Sequence, residues 1–247
     1  MPPSPAMAIV LAAGKGTRMK SELPKVLVPV CGRPMVRYVI DALQQAGIER
    51  FVVVVGYRAD LVKDELSDVP GIEFAEQTEQ LGTGHAVMMC RQQLGSHTGP
   101  VVVVAGDSPM LQGESVATLL EEFAARDAAA LLGTVQRENP TGYGRILRNQ
   151  PGEFIGIVEE KDATPEQRAV AEVNVSTYVF DSAELRWSLD QLRADNSQRE
   201  YYITDCPAIL LAAGKTVTAL NVLQPREALS INSPEELAQV EKVMSSE

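Results

Sequence analysis

Cysteine is scarce in this chain of 247 residues: Cys31, Cys90 and Cys206 are odd in number, widely spaced, and form no C-x-x-C pair. That pattern excludes a disulfide scaffold and a cysteine zinc site, and it fits a reducing, cytoplasmic setting. Histidine is rarer still, with only His85 and His97, so a histidine-rich metal centre is excluded as well. Positive charge is in deficit, with 22 Lys+Arg against 33 Asp+Glu and a net charge of −11. A surface this acidic is no main partner for nucleic acid or an anionic membrane, although a few cations in one pocket still suffice for a small anion. No apolar run approaches the roughly 20 residues that span a bilayer. Residues 1–6 carry no basic segment of a secretory leader. Neither a membrane partner nor export is expected.

What the chain does have is a core, with 45% hydrophobic residues and a length that suits one large α/β domain or two small ones. Residues 8–12, 51–55 and 101–105 are continuous β-prone runs, as in strands buried on both faces of a parallel sheet. Helical patterns at 35–45, 59–66, 84–94 and 114–126 alternate with them. The expectation is a doubly wound, mostly parallel α/β sheet. Regularity loosens after about Gly133. There a hairpin of 145–147 with 154–158, a strand at 173–180 and helices near 182–193 and 204–213 are expected to extend the same sheet and cover it. Because no linker divides the chain, it reads as a single domain over 1–247. Ser233, Pro234 and Glu236 predict a capped C-terminal helix over 233–247.

The strongest motif is Leu11-Ala-Ala-Gly-Lys-Gly-Thr-Arg-Met19 followed by Pro24-Lys25, directly after the first predicted strand. Ligands of open α/β sheets bind at that carboxyl edge. Gly14 and Gly16 allow the backbone to approach a phosphate, while Lys15, Arg18 and Lys25 concentrate cations in an otherwise acidic chain. The spacing matches neither the P-loop nor the dinucleotide fingerprint. Leu211-Ala-Ala-Gly-Lys215 nearly repeats the string, but it closes a helix. Gly214 reads there as a left-handed C′ glycine with Lys215 at the negative end of the dipole, and the copy has no site role.

The motif at 11–25 resembles that of the sugar-1-phosphate nucleotidyltransferases, and within that family it is most similar to uridyltransferase domains acting on N-acetylglucosamine 1-phosphate. Gln77-Thr-Glu-Gln-Leu-Gly-Thr-Gly-His-Ala86, Asn139-Pro-Thr-Gly-Tyr-Gly-Arg145, Ile157-Val-Glu-Glu-Lys-Asp-Ala163 and Glu200-Tyr-Tyr-Ile-Thr-Asp205 carry the likeness onward, in the family's order. The resemblance implies a Rossmann-like fold with a nucleotide half at about 8–135 and a sugar-binding extension at about 136–232. It implies that Leu11, Ala12, Ala13, Gly14 and Lys25 hold the nucleotide, and that Gln77 reads the uracil edge beside Gly82 and Thr83. Gly106, Gly142, Glu159, Asn174 and Asn232 would contact the sugar, Asp107 and Asn232 would bind Mg²⁺, and Arg18 and Lys25 would be catalytic. UTP and a sugar 1-phosphate are the implied partners. The chain departs from the family pattern at Ala105, where an aromatic is common, and at Asn174-Val-Ser176, where Asn-Thr-Gly is common. It carries no left-handed β-helix, so acetyl transfer is not expected. Two rival readings stay open. One is the same fold serving another sugar phosphate or nucleotide, and the other is a non-catalytic sugar-nucleotide-binding regulator.

Overall fold

A computed structural model describes residues 5–246. Residues 1–4 and 247, which include most of the segment weighed as a leader and the last residue of the expected C-terminal helix, lie outside the described residues. The strands are β1 (Met7–Ala12), a small ladder of β2 (Pro29–Val30) and β3 (Arg33–Pro34), β4 (Arg50–Val55), β5 (Ile72–Glu76), β6 (Pro100–Ala105), β7 (Ala130–Gln136), β8 (Gly144–Arg148), β9 (Phe154–Val158), β10 (Glu172–Asp181) and β11 (Val217–Leu220). The helices are α1 (Met35–Gln45), α2 (Ala59–Glu65), α3 (Thr83–Met88), α4 (Arg91–Gly95), α5 (Gly113–Arg126), α6 (Pro165–Arg168), α7 (Ser182–Leu189), α8 (Asp205–Ala212) and α9 (Pro234–Met244).

The sheet runs in the order β11-β7-β10-β6-β1-β4-β5, with β8 and β9 added beside β10. Strands β5, β4, β1 and β6 are parallel, as are β7 and β11. Only β10 is reversed along that path, antiparallel to both β6 and β7. The expected α/β class and mostly parallel sheet are therefore what the chain adopts. Successive residues of β1 serve opposite faces: Ala8 and Val10 pack with α1, α2 and α5, whereas Met7 and Ile9 pack with α3, α7 and α8. Every one of these four is 0% exposed, which is why the run is apolar throughout rather than alternating. Among the described residues no helix is long and apolar enough to cross a membrane.

Several elements differ from the sequence reading. The single helix expected at 84–94 is two short ones, because Met89 and Cys90 close i→i−3 bonds to Ala86 and Val87 and tighten the chain there. Two strands carried weaker signals than the rest. Strand β5 is an edge strand whose Ile72 and Phe74 pack partly on the core while Glu73 and Glu76 pair with Arg50 and Lys63. Strand β7 is interrupted in sequence by Gly133, where a Cβ would stand 3.0 Å from Leu119 and Leu223. At the C-terminal helix the capping box is half made. Ser233 Oγ accepts from the Glu236 N–H, but Glu236 reaches past Ser233 and accepts from the Asn232 N–H at 2.6 Å. The repeat at 211–215 ends α8 as expected. Gly214 has φ +74°, and the Gly214→Leu211 and Lys215→Leu210 backbone bonds complete a Schellman motif.

Candidate active site

The loop after β1 places the cations. Gly16 is left-handed at φ +65° and starts a 3₁₀ turn, and a Cβ on it would come within 2.7 Å of Lys25 Cβ. The absence of that Cβ lets the 14–19 loop fold down on Lys25. Lys15 turns away and lies over the Tyr57 ring, 5.1 Å from its centroid. Lys25 points inward, ion-paired with Asp107 and donating to Asn232 Oδ1 at 2.8 Å, a residue 207 positions later. Arg18 Nη2 donates to the same oxygen at 2.9 Å. The other end of the Asn232 amide is fixed, since Nδ2 donates to Ser230 Oγ at 3.0 Å, while its backbone N–H is held by Glu236. An amide oxygen is thus aimed at a carboxylate across one ammonium. Both oxygens touch the Lys25 ammonium, so they lie within about 6 Å of each other, two hydrogen-bond lengths.

One carboxylate and one amide oxygen facing a cleft fit Mg²⁺, which takes few protein ligands and keeps waters and phosphate oxygens. Asp107 and Asn232 are the residues that could hold it. Among the described residues no group of three or more His, Cys, Asp or Glu side chains offers a richer cation site.

Two clefts meet at this junction and share Ala105, Asp107 and Ser176. The first is lined by Leu11, Ala13, Gly14, Lys25, Gln77, Gly82 and Thr83. The second is lined by Gly142, Glu159, Asn174 and Asn232. Three residues expected at the site stand apart from both linings: Arg18, which reaches the junction through Asn232 Oδ1, Ala12 and Gly106. Ala12 is 1% exposed and packs in the core. Gly106 donates its N–H to Leu11 O at 2.9 Å, and a Cβ there would meet that oxygen at 2.9 Å, so it serves the close approach of β6 to β1.

The floor of the first cleft is clamped from the second half of the chain. Gly84 N–H donates to Tyr201 O, Tyr201 N–H to Leu81 O, and Ile203 N–H to Thr83 Oγ1. That clamp accounts for the 200–205 motif, whose role the sequence left unassigned. The second cleft rests on residues that sequence reasoning also missed. Buried Arg145 donates to Glu160 Oε2 at 2.7 Å, to Tyr143 O, and to Arg168 O at 3.2 Å. Glu160 in turn accepts from the Gly142 N–H, which fixes that loop. Buried Glu227 accepts from Ser115 Oγ and from the N–H groups of Gln112 and Gln224, tying the strap that leads to Asn232 onto the start of α5.

In the second cleft the Glu159 carboxyl is perturbed. Burial pushes the Glu159 carboxyl above the usual carboxylate range, with Asp205 and Asp162 adding to the rise, while a 2.9 Å bond from Thr204 Oγ1 opposes it. Asn174 donates to Tyr178 OH at 2.7 Å and accepts the Ser176 N–H at 3.3 Å. Ser176 itself is left-handed at φ +57°, at the irregularity between Asn174 and Tyr178 where β10 changes register on β7.

Comparison with known proteins agrees with this architecture. A family model for the MobA-like NTP transferase domain matches residues 8–202. The chain is 45% identical over 237 residues to the bifunctional protein GlmU of Bacillus licheniformis, covering 96% of this chain and 52% of that one. It is 46% identical to the bifunctional protein GlmU of Limosilactobacillus fermentum over the same shares. It spans about half the length of these relatives. Among solved structures, an apo UDP-glucose pyrophosphorylase superposes with a TM-score of 0.79 at 16% identity, covering 98% of each chain. A UDP-glucose pyrophosphorylase complexed with UDP-glucose gives the same TM-score and identity, covering 98% of this chain and 99% of that one. At that identity the likeness speaks for the fold alone. With the family model covering most of its length, the chain belongs to the MobA-like NTP transferase domain family, and the chemistry its site is built for is nucleotidyl transfer.

Proposed function

We propose that the protein is a cytoplasmic, Mg²⁺-dependent enzyme that makes UDP-N-acetylglucosamine from UTP and N-acetylglucosamine 1-phosphate, releasing pyrophosphate. It acts as one domain, in which about 8–135 hold the nucleotide, about 136–232 hold the sugar, and the helix from 233 closes the chain. The observation that carries this reading is the junction, where two clefts share Asp107 and Ser176 beside the Lys25 ammonium. A nucleotide in the first cleft and a sugar phosphate in the second would bring their phosphates together there. The motif resemblance supplies the identities of the base and the sugar.

The reaction needs little covalent chemistry from the protein. A phosphate oxygen of the sugar 1-phosphate attacks the α-phosphorus of UTP. A P–O bond forms there as the bond to the bridging oxygen breaks, and pyrophosphate leaves with that oxygen and its electron pair. The nucleophile is largely ionised at neutral pH, so no general base is required. Alignment and charge neutralisation carry the rate. Lys25 and Arg18, which meet at Asn232 Oδ1, are placed to turn toward the phosphates as negative charge shifts onto the leaving group. Asp107 and Asn232 would hold Mg²⁺, and the ion would there supply further neutralisation of the phosphate oxygens. Gathering Arg18, Lys25, Asp107 and Asn232 at one point disfavours a silent binding protein, which has no need of the full set.

A pyrophosphate-release screen crossing four nucleoside triphosphates with several sugar 1-phosphates tests the reading. The highest kcat/KM is expected for UTP with N-acetylglucosamine 1-phosphate. Release that is faster with another sugar phosphate or triphosphate overturns the substrate assignment, and no release with any pair overturns the enzyme.

A further inference from the structure

Groups that can only donate or only accept set the direction of a run of hydrogen bonds leaving the junction. An ammonium and a guanidinium only donate. The Asn232 amide therefore turns its oxygen to Lys25 and Arg18 and its nitrogen to Ser230 Oγ, 3.0 Å away. Ser230 Oγ accepts there, and its own hydrogen is left for the Tyr143 hydroxyl oxygen, a longer contact at 3.4 Å. A main-chain carbonyl only accepts, so the Tyr143 hydroxyl in turn donates to Ala228 O. The strap that presents the Asn232 oxygen thus hangs on one phenol. That phenol is a fixed post. The Tyr143 carbonyl accepts from buried Arg145, the neighbouring Gly142 N–H donates to Glu160, and Arg145 is ion-paired with the same Glu160. The Tyr143 ring packs against the core, with the Arg137 guanidinium 5.4 Å from its centroid. Glu227 anchors the strap on the side of α5, and Tyr143 anchors it on the side of the second cleft.

We propose that Tyr143 is a positioning residue for the metal. Through Ala228 and Ser230 it holds the strap so that Asn232 Oδ1 stays beside Asp107, and the loop at 139–145 in this way sets how tightly the junction binds a divalent cation. This role rests on the assignment of Asn232 to Mg²⁺ above. Among the described residues the Tyr143 hydroxyl bonds only to the strap and not to Asp107 or Asn232 themselves, so its effect on the ion passes through Asn232.

The test is the binding of Mn²⁺ alone, which takes the same oxygen ligands as Mg²⁺ and is read from the loss of its free-ion paramagnetic resonance signal. Tyr143→Phe keeps the ring and its contact with Arg137 and removes one hydroxyl. Losing one neutral hydrogen bond predicts that Y143F binds Mn²⁺ about fivefold more weakly than the wild type. Ser230→Ala should fall by a similar factor, while Ser230→Thr, which keeps the hydroxyl, stays within about twofold. On an Asn232→Ala background Y143F should change the affinity by less than about twofold, because the oxygen it positions is gone. A fivefold loss that persists on that background marks a general loosening and overturns the positioning role, as does a Y143F that binds Mn²⁺ like the wild type. Should Y143F fail to fold, S230A against S230T decides, and equal affinity in those two overturns the role. A wild type that takes up no Mn²⁺, or an N232A that binds it as tightly as the wild type, overturns instead the assignment of Asn232 to the metal.

Discussion

Gly16→Ala isolates what the glycine loop does for the lysine behind it. The left-handed backbone at Gly16 costs an alanine about 1–2 kcal/mol. The added Cβ would stand 2.7 Å from Lys25 Cβ, so the two chains must part by about 1 Å to reach ordinary contact near 3.8 Å. A displacement of that size in a positioned catalytic group is worth about 10²-fold in rate. In a domain of this length the stability loss appears as a fall in Tm of about 3–6 °C. Gly14→Ala is the matched control, because a Cβ at Gly14 meets nothing within 4 Å. It leaves Tm within about 2 °C, and since its methyl would enter the cleft its cost falls on the KM for nucleotide. Steady-state pyrophosphate release and thermal unfolding on the two purified variants give all four numbers. A Gly16→Ala enzyme that loses stability but keeps kcat/KM within about threefold would refute the idea that this glycine sets the position of Lys25.

Three further outcomes follow from the same geometry. Lys25→Ala is expected to lower kcat/KM by about 10²-fold or more, whereas Lys215→Ala, whose ammonium pairs with Glu184 at the surface, should change it by less than about threefold in the same assay. Ser176→Gly should raise stability by about 0.5–1 kcal/mol in denaturant melts, the relief of a left-handed serine less the extra entropy of an unfolded glycine. Glu159→Gln should weaken binding of the sugar phosphate by about tenfold or more. It should also raise Tm at pH 7–8, because burial holds the native carboxyl above its unfolded value, so ionisation costs the native state stability above that range. That gain shrinks as pH falls toward the unfolded value near 4.3 and the native carboxyl is protonated. A Tm difference that does not change with pH would refute the burial argument.

How much of this was legible in the sequence depended on whether a residue's role was local. Strands β1, β4 and β6 were legible because burial on both faces leaves a run of apolar residues with no other use. The two copies of Leu-Ala-Ala-Gly-Lys were separable because position relative to a strand or a helix end decides what a glycine does. Strand β7 was hidden by Gly133, whose missing side chain answers to Leu119 and Leu223, neither of them a near neighbour in sequence. Similarly, Arg145, Glu160 and Glu227 act on the site only through loops they hold, and isolated charged residues resemble solvated ones until the fold buries them. For Gln77, likewise, a carboxamide has two faces in sequence, and only the fold shows its nitrogen engaged with Gly82 and His85.

The site also explains how a chain with a net charge of −11 can be built around an anionic ligand. The acidic excess is spread over the surface, where solvent and salt screen it within about 10 Å. At the junction the one carboxylate, Asp107, is held by Lys25, and Asn232 contributes an oxygen without a charge. Replacing that amide by a carboxylate would set two negative groups against one incoming triphosphate. Asn232→Asp should therefore bind divalent metal more tightly while turnover falls, since the added charge repels the phosphates that must share the place. Isothermal titration with Mg²⁺ alone, set beside kcat, separates the two effects. A variant that binds metal no better yet turns over at the wild-type rate would show that Asn232 only ends the strap before Ser233 and takes no part in the site.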